Sequence, residues 1–123
     1  MQSCKNGAVT SPPYPALLPQ LVRAIAILAL GPDDQVAWLR SIGVPKLADE
    51  LALEFHDRAL LVDQWVSAEW FPKEAAPAVA AIAEYFDGFS GEAHAALWEP
   101  EALYTAPEWE EVRRLAKIAL MLI

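Results

Sequence analysis

From Ala16 onward, apolar side chains recur at steps of three and four, the spacing that gathers them on one side of an α-helix. Leu17, Leu21, Ile25 and Leu28 form the first stripe, and Val22, Ile27 and Leu30 put apolar residues on its other faces. This predicts a central helix buried on more than one side and stopped at Gly31-Pro32. A second helix is expected from Pro32 or Asp33 to Ile42. Asp33 and Asp34 suit its positive end, Val36, Trp38, Leu39 and Ile42 supply its inner face, and Gly43 and Pro45 end it. A third runs from Lys46 to about Phe55, with Leu47, Leu51 and Phe55 inward, Leu53 nearby, and Asp49, Glu50 and Glu54 outward. A further helical stretch, Ala59 to Val66, is either continuous with it or bent near His56 and Asp57.

Proline fits a first helical turn but not a deeper one, so the next helix starts between Pro72 and Pro77 and runs to Phe86. Val79, Ile82, Ala83 and Phe86 form its stripe. Asp87 to Gly91 reads as a turn, followed by short helices over about Glu92 to Trp98 and Pro100 to Tyr104. Thr105 stands three residues before Glu108, the spacing of a capping box, and predicts the start of a last helix. Trp109, Val112, Leu115, Ala116, Ala119 and Leu122 follow at helical steps. No alternating segment bounded by turns suggests a hairpin, and no internal repeat is present. The expected fold is all-α: a compact single-domain bundle of five to seven helices over residues 16–123, without a sheet. Residues 1–15, with Gly7, Pro12, Pro13 and Pro15, read as a flexible leader.

Hydrophobic residues make up 55% of the 123, enough for a packed interior. The longest apolar run, Ala24 to Leu30, is too short to span a bilayer. It also begins too far along the chain, and lacks the cleavage site, expected of a signal peptide. The expected compartment is the cytoplasm. A lone cysteine, Cys4, gives neither a disulfide framework nor a cysteine-rich metal site. Seventeen acids against nine bases give a formal charge of −8, which argues against nucleic acid and anionic membrane as partners.

Candidate chemistry is thin. Glu54 and His56 are two residues apart, as are Glu92 and His94, so neither pair shares a helix face as the Glu-x-x-His of di-metal bundles does. No His-x-x-x-His, phosphate loop or dinucleotide fingerprint is present. Ser90 lacks the preceding glycine of a nucleophile elbow, and Glu50 with Glu54 reads as a solvated face. No metal, cofactor or catalytic residue is therefore expected.

The charge distribution says more. Glu84, Asp87, Glu92, Glu99, Glu101, Glu108, Glu110 and Glu111 lie in a stretch without lysine or arginine, while outside it nine acids balance nine bases. Tyr85, Phe86, Phe89, Trp98, Tyr104 and Trp109 are interleaved with these acids. Charges that steer encounter around aromatic anchors suit a surface for a basic protein. The plainer alternative makes the acids a solubility device and the aromatics core.

At Trp38-Leu39-Arg40-x-x-Gly43, Asp49-Glu50-Leu51-Ala52-Leu53-Glu54-Phe55 and Pro107-Glu108-Trp109-x-x-Val112-Arg113, the chain resembles small, acidic, uncharacterised bacterial proteins. Their size and charge are similar to those of immunity proteins in toxin–immunity pairs. The resemblance covers residues 28 to 123 and implies no catalytic residues.

The leading expectation is a non-catalytic protein-binding module of the inhibitor or immunity type. It would engage a basic partner through Glu99, Glu101, Tyr104, Glu108 and Glu111. A second reading is a small-molecule-binding or enzymatic protein whose inter-helix pocket is lined by His56, Trp65 and Trp70. A third is a homodimer docked through the apolar C-terminus, Ile118 to Ile123.

Overall fold

Four longer helices carry the apolar stripes, and the rest of the fold follows from how those stripes meet. The computed structural model describes residues 14–123. Its helices are α1 (Leu17–Leu28), α2 (Pro32–Ser41), α3 (Asp49–Ala59), α4 (Val62–Ser67), α5 (Ala76–Asp87), α6 (Ala102–Thr105) and α7 (Pro107–Leu122), with a 3₁₀ segment over Glu92–Trp98 between α5 and α6. No strand occurs among the described residues, and the architecture is all-α. Nearly all of the expected leader, and Cys4 with it, lies outside the described residues.

Helices α1, α3, α5 and α7 close into a ring: α1 packs on α3 and α7, and α5 packs on α7 and, more sparingly, on α3. The central position of α1 follows from its pattern, since Leu21, Ala24, Ile25, Ile27 and Leu28 are all buried and cover two sides of the helix. Phe55 and Leu51 of α3, Val79, Ile82 and Phe86 of α5, and Trp109, Val112, Ala116 and Ala119 of α7 complete the interior. Trp65 and Trp109 are its largest wholly buried side chains. Truncating either to alanine should cost about 3–5 kcal/mol. The short elements seal the periphery, with α2 on α1 and α6, α4 on α5, and α6 on the 3₁₀ segment and α7.

Helix α2 stops at the glycine expected to end it, while other helix boundaries differ from expectation. Helix α2 ends in a Schellman motif, with the Val44 N–H donating to the Leu39 carbonyl and the Gly43 N–H to that of Arg40. Gly43 takes the left-handed conformation this requires, at φ 84°. The same pair of bonds closes α4, from Trp70 to Trp65 and from Glu69 to Val66, but the left-handed residue there is Glu69 at φ 65°. A glutamate in that position gives no glycine signal to read. The third helix begins at Asp49 rather than Lys46, and the break before α4 falls at Leu60-Leu61 rather than near His56.

The capping box does not form. Thr105 ends α6, where its hydroxyl donates to the Glu101 carbonyl at 3.2 Å. Helix α7 instead starts from an extended Ala106 with Pro107 in the first turn. The fixed φ of proline and its missing N–H make the start without a side-chain cap.

Candidate functional site

The aromatic half of the 84–111 window turns mostly inward. Phe86, Phe89 and Trp109 are buried and Trp98 is half-buried; the Phe89 and Trp98 rings stack with centroids 5.0 Å apart, and Trp98 meets Trp109 edge-on at 5.5 Å. The indole N–H groups of Trp98 and Trp109 donate to the Phe89 and Leu97 carbonyls at 2.9 and 2.7 Å. Such bonds fix indoles within a core. These residues pin the 3₁₀ segment to α5 and α7, the core role that the plainer alternative gave the aromatics.

The acids of the window remain at the surface. Glu84, Asp87, Glu92, Glu99, Glu101 and Glu110 are exposed, and Glu108 and Glu111 are partly so. Among the described residues only Glu111 of the eight makes a salt bridge, a two-pronged contact in which Arg114 Nε and Nη2 donate to Oε1 and Oε2 at 2.8 and 2.6 Å. That hydrogen bonding holds the Glu111 carboxyl below its usual pKa. Glu108 and Glu111 lie close to Tyr85, whose phenol is pushed above its usual pKa by burial first and then by these two carboxylates. Glu84, Tyr85, Gly88, Phe89, His94 and Glu108 line a cleft of about 270 Å³.

The expected binding residues therefore divide. Glu108 and Glu111 join Glu84 around Tyr85, whereas Glu99 and Glu101 stand exposed around the turn into α6. Tyr104, 53% exposed, is tied to α2 by its hydroxyl donating to Asp33 Oδ1 at 2.9 Å. This bond to the neutral phenol raises its pKa.

The pocket trio is not gathered in one place. Trp65 is wholly inside the core, Trp70 is 55% exposed beside Glu69 and Lys73 in a shallow depression after α4, and His56 is exposed on α3. At the C-terminus Met121, Leu122 and Ile123 are exposed, as the dimer reading requires, while Ile118 is half-buried.

Two clefts that the sequence did not announce lie along the seam of α3 and α5. One, of about 300 Å³, is lined by His56, Ala59, Leu60, Val62, Asp63, Ala76, Val79, Ala80, Ala83, Glu84 and Asp87. The other, of about 260 Å³, is lined by Asp49, Ala52, Leu53, His56, Phe86, Asp87, Ser90 and Trp98. The legible signal was the run of alanines on α5: Ala76, Ala80 and Ala83 fall at helical spacing on one face. No group of three or more His, Cys, Asp or Glu among the described residues is arranged to hold a metal ion. No helix among them is long and apolar enough to cross a membrane.

An all-α ring of four helices with an acidic, weakly paired surface is thus the class that fold and site define. Compared with family profiles, with curated proteins and with solved structures, the chain finds no match.

Proposed function

We propose that the protein is a non-catalytic protein-binding module, of the inhibitor or immunity type, that engages a basic partner through the acids of residues 84–111. The observation that supports this is the exposure of those acids with a single salt bridge among the eight. Unpaired surface carboxylates leave a field that reaches about 10 Å at 0.1 M salt and accelerates encounter with a cation. Glu99, Glu101, Tyr104, Glu108 and Glu111 are the proposed contacts.

The test is a titration of ¹⁵N-labelled protein with an oligolysine peptide, followed residue by residue by NMR. The expected shifts concentrate between residues 84 and 111, and they fade as salt is raised. Equal shifts at Asp57 and Glu74, exposed acids outside the window, would show that only the net charge attracts the peptide, and would remove the special role of the window.

A further inference from the structure

The bundle has one open seam. Of the four neighbouring pairs in the ring, α3 and α5 pack on each other most sparingly. The reason lies in side-chain size. Ala59 on α3 lines one cleft with Ala76, Ala80 and Ala83 of α5, and Ala52 lines the other beside Phe86, so small side chains border the seam outside the Phe55–Phe86 contact. His56 and Asp87 line both clefts, so the two adjoin along the seam as a trough. Leu53 and Leu60 stand at its α3 side, 48% and 68% exposed. Together with the alanines they give the trough an apolar border open to solvent.

The rim specifies the occupant. Asp49, Asp63, Glu84 and Asp87 surround the trough, and no lysine or arginine lines it. From Asp49 to Leu60 the seam follows about three helical turns, roughly 16 Å. An apolar floor of that length with carboxylates along its edges complements an amphipathic helix whose apolar face is flanked by lysine or arginine. A second copy of this chain would bring its own surplus of acids against the same carboxylates.

We infer that the α3–α5 trough is a docking groove for a basic amphipathic helix of a partner protein. This rests on the reading of the protein as a module for basic partners, but it moves the principal contact from the Glu99–Glu111 region to the α3–α5 seam. Leu53, Leu60 and the alanine floor take the apolar face of the incoming helix, and the four carboxylates take its flanking cations.

The experiment uses the full chain and a fluorescein-labelled peptide of about fourteen residues, two repeats of Leu-Lys-Lys-Leu-Leu-Lys-Leu, which spans the seam. Binding is read by fluorescence anisotropy, with circular dichroism confirming that each variant is folded. Ala80→Arg, at an exposed position on the floor, should raise Kd by about tenfold or more. Leu60→Glu, on the opposite wall, should do the same. The triple reversal Glu99→Lys, Glu101→Lys, Glu108→Lys tests the 84–111 surface separately: it should weaken binding through the loss of net charge, but less than Ala80→Arg does.

A peptide of the same composition, scrambled to remove its apolar face, should bind at least about tenfold more weakly. Equal binding of the scrambled peptide would overturn the groove and leave attraction by net charge. Loss of binding in the triple variant but not in Ala80→Arg or Leu60→Glu would overturn the groove while upholding the 84–111 surface. A concentration-dependent dimer in sedimentation velocity that Ala80→Arg abolishes would show that a second copy fills the trough, and would overturn the proposed occupant.

Discussion

Arg113 reaches across 78 residues of chain to donate, through Nε and Nη2, to Oε1 of Gln35 at 3.3 and 3.1 Å. Gln35 is the one polar side chain buried completely among the described residues, and its Nε2 donates to the carbonyls of Ile27 and Leu28 at 3.2 and 3.1 Å. The same guanidinium also donates to the Leu103 carbonyl. One amide thus satisfies the end of α1 while holding α2 against α7, and Arg113 extends the network to α6. Burial lowers the Arg113 pKa and Glu110 nearby opposes that shift.

Gln35→Leu should therefore cost about 2–3 kcal/mol although the core gains apolar volume, because it strands the Leu28 carbonyl and part of the guanidinium without partners. Urea denaturation measures this. Adding Arg113→Met should cost less than the sum of the two single changes, since the pair shares one network. A loss below about 0.5 kcal/mol for Gln35→Leu would mean that the network is incidental.

Glu69 holds a left-handed backbone that favours glycine. Glu69→Gly should stabilise the protein by about 0.5–1 kcal/mol, the relief of strain exceeding the added freedom of the unfolded chain. Thermal unfolding should show a rise of a few degrees, whereas Glu69→Val, β-branched at positive φ, should lower the midpoint.

Thr105→Ala separates the two possible starts of α7. Because the hydroxyl bonds back to Glu101 and not forward to α7, the change should cost less than about 0.5 kcal/mol, against about 1 kcal/mol for the loss of a true cap.

Tyrosine ionisation should report the acidic surroundings of α5 and α6. Tyr85 and Tyr104 have folded-state pKa values above the ordinary value near 10. Their contribution to stability is thus complete below that value and is lost as pH rises through the folded values. A near-ultraviolet absorbance titration should show both phenols ionising late. Glu108→Gln should bring Tyr85 down, and Asp33→Asn should bring Tyr104 down. Glu111 acts in the opposite sense: its depressed pKa makes its contribution present above the usual glutamate range and lost as pH falls through the folded value, a loss that Glu111→Gln should remove.

The helices were legible because their cause is local. Leu21, Ile25 and Leu28, or Trp109, Val112 and Ala116, recur at a period that only a helix converts into one buried face, and Gly31-Pro32 and Gly43 stop the chain wherever it stands in space. The acidity of residues 84–111 is likewise a property of the chain alone. What tertiary structure decided is which side each residue shows. Phe86, Phe89 and Trp109 stand among acids in the sequence yet lie in the core, because α5 and α7 bring their stripes together and the 3₁₀ segment folds Trp98 over them. Gln35 looks like any surface glutamine until α7 carries Arg113 to it. The clefts of the seam arise only where Ala76, Ala80 and Ala83 of α5 come beside Ala59 of α3, and Phe86 and Asp87 beside Ala52, and a gap between two helices belongs to neither of them.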